Sequence, residues 1–292
     1  MKVDGRIIAL GSLFLWSLSP PLSKLGLAEM GYLEFSLLTA LAAAVFAVPF
    51  FIHERGWTKI AKHWKQLALL TLFAYVVGSI VYFLGMSSIA GTQGSALLGT
   101  EIIFSLLLGV MMKKEKGSMD EIFFTLLLVL GVAVAVTNGT FDLGVAGIGA
   151  LLVLVSMLMF QVGYYLAPDA IQECGFATLV LPGVLAQAIG TLALFPLTGA
   201  SLVLPTAPSA YYIVAIYGLL PGLIDYAFYY EAIKRIGVYK TTAIVVPAPA
   251  VALLLSALLL GEQLTIYNLL GVALIVLSVW KITETRGKEM HA

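Results

Sequence analysis

Apolar stretches of about twenty residues recur along this chain from one end to the other, and that repetition leaves it few possible folds. A helix needs about 20 predominantly apolar residues to cross a hydrocarbon core of about 30 Å. Hydrocarbon offers backbone amides no partner, so only helices or closed barrels cross it. Ten segments have the helical length: Ile7–Ser23, Tyr32–Ile52, Gln66–Met86, Thr92–Met112, Ile122–Asn138, Val145–Leu166, Phe176–Leu197, Ala210–Ile233, Thr241–Leu260 and Ile266–Ile282. Composition agrees, with 61% of residues hydrophobic, 11% charged and a mean hydropathy of +1.02. The expectation is an all-α integral membrane protein of ten transmembrane helices, forming a single transmembrane domain over residues 1–292. The longest polar connection, His53–Lys65, and the tail after Ile282 are too short to bury cores of their own.

The basic residues test that count. Lys2 and Arg6 precede the first segment; Arg55, Lys59, Lys62 and Lys65 lie between the second and third. Lys113, Lys114 and Lys116 follow the fourth, Lys234, Arg235 and Lys240 follow the eighth, and Lys281, Arg286 and Lys288 follow the tenth. Only Lys24 falls on the other side. Cytoplasmic connections collect Lys and Arg, so the expectation is a multi-pass protein of the cell membrane with both termini cytoplasmic. The first segment follows charged residues as a signal peptide would, but no small-residue cleavage site comes after it. Cys174 is alone, and the three histidines sit in connections or the tail, which argues against a metal site.

The chain also aligns weakly with itself. At a shift of 147 residues Tyr82-Phe83 falls on Tyr229-Tyr230, Ile89 on Ile236, Ala96 on Ala243 and Glu115 on Glu262. Each of the two glutamates ends an apolar helix and precedes Ser118 or Thr265 and another apolar helix. Near the starts of the halves, Gly5 and Trp16 fall on Gly149 and Phe160 at a shift of 144. This predicts two five-helix repeats, about 5–138 and about 145–282. Five is odd, so the second copy enters the membrane from the opposite side, and the repeats are inverted. Two inverted halves can exchange outward-facing and inward-facing states about a site near the midplane.

With these residues in place, the chain resembles the drug/metabolite transporter superfamily in its ten-helix EamA type. The resemblance rests on Gly11…Leu15-Trp16, on Gly147-Ile148-Gly149, and on the paired ends Met112…Glu115 and Leu260-Gly261-Glu262-Gln263-Leu264-Thr265. Leu269-Leu270-Gly271 in the last helix adds to it. It implies a central cavity lined by helices one, three, four, six, eight and nine, and transport coupled to protons or working by exchange. Where that family often carries an arginine in helix two, this chain has Glu34 and no basic residue.

Ionisable groups within a membrane are candidates for function by default. Glu101 lies at the centre of Thr92–Met112, with Gly94, Leu98 and Ser105 on its face. Asp225 lies in Ala210–Ile233 beside Gly218, Pro221, Gly222 and Tyr229, and a structural role competes evenly with a functional one. Glu231 has Lys234 and Arg235 along its own helix, which suits a structural pair. Trp16 sits mid-membrane on a face with Ser12 and Ser19; Tyr75, Ser79 and Tyr82 share a face of helix three; Gln161 and Tyr164 lie in helix six. An aromatic stripe is ordinarily packing, but polar neighbours on the same faces suggest a cavity. Apart from Lys281 at the very end of the tenth segment, no Lys or Arg falls within a span, so Glu101 and Asp225 require a proton, each other, an ion or a cationic substrate. Carboxylates among aromatic rings suit a cation.

The substrate-binding candidates are thus Trp16, Tyr75, Ser79, Tyr82, Glu101, Gln161, Tyr164, Asp225 and Tyr229, with Glu101 and Asp225 as coupling residues and no cofactor or metal. The expected function is secondary transport of a small amine-bearing or cationic metabolite by a monomer in the lipid bilayer, with no nucleic-acid partner. The alternative is export of amino acids or other zwitterionic or neutral metabolites, with Glu101 carrying the proton. An intramembrane enzyme is disfavoured, because no zinc-protease, nucleophile-elbow or phosphate-loop motif is present. A channel is disfavoured by the internal pseudo-twofold.

Overall fold

The computed structural model describes residues 4–113, 119–140, 146–245 and 247–289. Lys2, Lys114, Glu115, Lys116 and Ser118, which entered the charge and repeat arguments, lie outside the described residues. Helices follow one another as α1 (Gly5–Ser17), α2 (Ser19–Glu29), α3 (Tyr32–Glu54), α4 (Trp57–Ser87) and α5 (Gly91–Met112). The chain continues with α6 (Met119–Val136), α7 (Ala146–Leu166), the short α8 (Pro168–Glu173) and α9 (Phe176–Thr198). It ends with α10 (Pro208–Ile236), α11 (Val238–Val245), α12 (Ala248–Leu260) and α13 (Ile266–Glu289). No strand occurs among the described residues.

Seven helical stretches among the described residues are long and apolar enough to cross a membrane: α3, α4, α5, α9, α10, Gly147–Leu166 within α7, and the combined α11–α12. Ile122–Val136 and Ile266–Ile282 are shorter apolar helices. The first apolar segment is helical from Gly5 to Glu29 but breaks at Leu18, just before Pro20 and Pro21, whose missing donors cannot continue the ladder. The expected polar connection His53–Lys65 is corrected: it is helical from Trp57 onward, leaving Arg55 and Gly56 as the turn. Trp57, Ile60 and Leu67 alternate there with lysines in an amphipathic pattern, which supports a helix at the edge of the bundle.

The two halves pack with matching partners. The most extensive pairings are α6 with α13 and α3 with α9; α4 lies on α7 and α9, as α10 lies on α1 and α3. Small residues permit the closest approaches. A Cβ on Gly271 would stand 2.5 Å from the Gly131 carbonyl oxygen, and one on Gly218 would stand 2.9 Å from the Ala43 amide.

Helix irregularities also match across the halves. A π-helical stretch, Thr71–Gly78, interrupts α4, and a second, Leu220–Asp225, interrupts α10. Their last residues are 147 positions apart, the offset at which the halves align. A 3₁₀ turn, Leu98–Thr100, interrupts α5, and Pro247, the turn residue that opens α12, stands at the same offset from Thr100.

One end of the bundle is tied by polar contacts from three connections. Lys62 and His63 both bond the Glu173 carboxylate, the latter at 3.1 Å, while Lys59 Nζ donates to the Glu173 carbonyl at 2.9 Å. Gln66 bridges Asp169 and the Ala170 amide, each at 2.8 Å, and Lys234 Nζ donates to the Cys174 carbonyl at 2.5 Å. Lys62 first, then His63, holds the Glu173 carboxyl below the ordinary glutamate range. The folded state therefore favours the ionised form. That contribution is complete above the unfolded-state value of about 4.3 and is lost as pH falls through the folded value. Glu173→Gln is expected to lower the melting temperature of the purified protein at neutral pH. The gap to the unaltered protein should close on acidification below about pH 4, measured by differential scanning fluorimetry across pH.

Candidate functional site

The irregular turns of α5 and α10 converge on one place with Val245 of α11. Glu101 is the first residue after the 3₁₀ turn Leu98–Thr100, and Asp225 is the last of the π-helical stretch Leu220–Asp225. Val245 is the last described residue of α11. These three, with Ser12, Trp16, Tyr164, Tyr226 and Tyr229, line a chamber of about 10 Å³. Non-helical backbone at membrane depth is tolerated where it is buried in protein or lines a cavity, and here the breaks surround one.

Both carboxyls are buried, Glu101 at 6% and Asp225 at 5% exposure. Ser12 Oγ donates to Asp225 Oδ1 at 2.5 Å, joining α1 to α10. Glu101 has no hydrogen-bond donor among the described residues, and its strongest charged neighbour is Asp225. No lysine or arginine lines the chamber. The tyrosines form a continuous aromatic wall: Tyr164 contacts Tyr229 at 5.1 Å between ring centroids, and Tyr226 stacks on Tyr230 at 5.7 Å. Tyr229 shares a hydrogen bond with Thr242 at 2.8 Å, which fixes the far side of its ring.

A second chamber, of about 40 Å³, adjoins the first and is lined by Ser79, Tyr82, Thr39, Gln187, Tyr217 and neighbouring apolar residues. Trp16 and Tyr226 line both chambers and stand between them. Trp16 packs against Tyr82 and Phe160 at centroid distances of 6.2 and 5.9 Å, while its buried indole N–H has no partner among the described residues. Gln187 Nε2 donates to Ser36 Oγ at 3.1 Å, and Ser36 meets Thr191 at 3.1 Å, so α3 and α9 are joined by a buried polar chain. Volumes of this size hold waters, not a metabolite.

The sequence-derived candidates divide accordingly. Glu101, Asp225, Tyr164 and Tyr229 line the acidic chamber, Ser79 and Tyr82 the neutral one, and Trp16 both. Tyr75 lines neither: it is buried behind the wall, sharing a hydrogen bond with Tyr230 at 2.9 Å and contacting the Tyr226 ring at 5.0 Å. Gln161 is likewise outside both chambers, buried beside the Tyr229 hydroxyl without a well-formed hydrogen bond of its own. Glu231 pairs with Arg235 one turn along α10, as its spacing implied. Thr39, Gln187 and Tyr217 were not singled out by sequence, although a buried glutamine within an apolar span is itself a signal. Among the described residues no group of three or more His, Cys, Asp or Glu is placed to hold a metal ion.

Comparison with known proteins agrees with this architecture. The model of the EamA-like transporter family matches twice, over residues 4–137 and 147–283. The chain is 25% identical over 220 residues to the uncharacterized transporter YcbK of Bacillus subtilis (strain 168), a match spanning 68% of this chain and 66% of that protein. It is 24% identical over 258 residues to the uncharacterized transporter YdfC of the same strain, spanning 88% of this chain and 83% of that protein. A solved crystal structure shares the fold, with a TM-score of 0.72 over 99% of both chains at 16% identity. The family and its named relatives point to transport and not to catalysis. With both halves of its sequence matched by one family model, this chain belongs to the EamA-like transporter family, within the drug/metabolite transporter superfamily.

Proposed function

We propose that this transporter is a monomeric ten-span secondary carrier whose two five-helix halves, about 5–138 and about 145–282, are inverted in the cell membrane with both termini cytoplasmic. The two family matches and the paired helix irregularities support the repeat. The sidedness of the basic residues supports the orientation. Its substrate is a small amine-bearing or cationic metabolite, moved by alternating access and coupled to protons or to exchange.

One observation carries the substrate reading: two buried carboxyls face a chamber walled by tyrosine and tryptophan, with no basic side chain lining it. A cation there gains charge attraction and ring-face attraction together. When no cation is bound, a proton takes its place on the carboxyl pair, so the two compete. The neutral chamber favours a second reading, in which Thr39, Ser79 and Gln187 receive a zwitterionic or uncharged metabolite and Glu101 carries only the proton. A thermal-shift screen against amines, quaternary ammonium compounds and amino acids separates the readings, because a ligand raises apparent stability by mass action.

Three outcomes follow. Single cysteines placed near Lys62 and near Lys240 should resist membrane-impermeant maleimide added outside intact cells, while one at Leu202 should react; reaction near Lys62 defeats the orientation. Trp16→Ala should lower uptake well beyond any drop in folded protein, because Trp16 lines both chambers; normal uptake at normal expression makes the indole a packing residue. Glu101→Gln keeps shape and hydrogen-bonding capacity but cannot ionise, so it should fold yet lose pH-dependent transport of whichever ligand the screen identifies. Uptake and pH dependence like the unaltered protein would leave Glu101 a structural carboxyl.

A further inference from the structure

Glu101 and Asp225 share one chamber, yet their surroundings differ by a single donor. Ser12, from α1, donates its hydroxyl to Asp225 at 2.5 Å, and no described residue donates to Glu101. The other ionisable groups near the pair are tyrosines: Tyr82, Tyr164, Tyr226 and Tyr229 toward Glu101, with Tyr75, Tyr217, Tyr226, Tyr229 and Tyr230 toward Asp225. None of these is a cation. Two carboxyls lining one narrow chamber cannot both hold charge cheaply, so at least one of them keeps a proton. A hydrogen bond to one member decides which keeps it, because a donated hydrogen stabilises the anion it points to.

The geometry points to Ser12 as the positioning residue that assigns the two carboxyls different tasks: Asp225 holds the negative charge and Glu101 holds the exchangeable proton. This rests on the proposed transport reading for its use, though not for its geometry. Loss of the proton breaks the Glu101 O–H bond, sends the proton to chamber water, and leaves two carboxylates; an entering monovalent cation then replaces the lost proton charge for charge. Because Ser12 stands on α1 and Asp225 on α10, a relative shift of these helices breaks the bond and removes the asymmetry. Proton release is thereby tied to the change of access.

The test reads the carboxyls directly, by infrared spectroscopy of the reconstituted protein at neutral pH, where a protonated acid shows a carbonyl stretch distinct from carboxylate bands. The unaltered protein should show such a band that disappears in Glu101→Gln and persists in Asp225→Asn. In Ser12→Ala a protonated Asp225 band should appear, identified by its loss in the Ser12→Ala, Asp225→Asn double variant. Ser12→Thr, which keeps the hydroxyl, should restore the original pattern. A protonated band that belongs to Asp225 in the unaltered protein, or folded Ser12→Ala with an unchanged spectrum, overturns the assignment. Should Ser12→Ala fail to fold, the Glu101→Gln and Asp225→Asn spectra alone decide where the proton sits. If those bands behave as stated while Glu101→Gln transports normally, the transport reading fails and the assignment stands. The reverse pattern fails the assignment alone.

Discussion

Every backbone amide inside a hydrocarbon layer needs a partner from the protein itself, and the rest of this structure is arranged around that demand. Helix starts are where the demand is most acute, because the first amides have no carbonyl behind them. Two carboxylates meet it from a distance. Glu262, beyond α12, accepts from the Gly91 and Thr92 amides at 2.7 Å each and so caps α5. Glu54, at the end of α3, accepts from the Ala177 and Thr178 amides at 3.2 and 3.0 Å and caps α9. A negative group at a helix start also opposes the helix dipole favourably. Each cap ties a helix to a segment far away in sequence, so capping and tertiary assembly are the same interaction. The same demand fits the placing of the irregular turns of α5 and α10 beside a chamber.

The narrow chambers give the aromatic residues a double part. Rings of Tyr164, Tyr226, Tyr229 and Trp16 exclude bulk water from the carboxyls, which strengthens any charge interaction made there. Their hydroxyls and the indole N–H keep the wall from being purely apolar, and the unpartnered Trp16 N–H is an unmet donor within it. A wall of this kind is rigid in ring position yet tolerant in what it contacts. That combination suits a carrier, which has to release what it binds.

Much of this was legible beforehand because membrane burial writes itself into composition. Apolar runs located the helices, and the rarity of charge inside them made Glu101 and Asp225 conspicuous. The partition into two chambers was not legible. Tyr75 and Ser79 share a face by spacing, but the π-helical stretch Thr71–Gly78 intervenes and places Tyr75 behind the wall while Ser79 lines a chamber. No proline or unusual residue within that stretch announces the extra residue per turn; its register is set by the packing of α7 and α9. The helical start of α4 at Trp57 was hidden for a related reason. Its lysines mimic a loop in hydropathy, whereas their partner Glu173 lies 111 residues from Lys62.

The π-helical stretch Leu220–Asp225 in effect holds one residue more than an α-helix of the same rise. Such an insertion is absorbed without ending the helix, and everything after it is turned by about 100° relative to an uninterrupted ladder. Asp225 closes the stretch, so the direction in which its carboxylate points is fixed by a local count of residues and not only by its identity. A chain one residue shorter within Leu220–Asp225 would keep the same acid and nearly the same composition, and would aim it away from Ser12. In this family of folds, gaps in an alignment at these two stretches therefore bear on chemistry as directly as a substitution does.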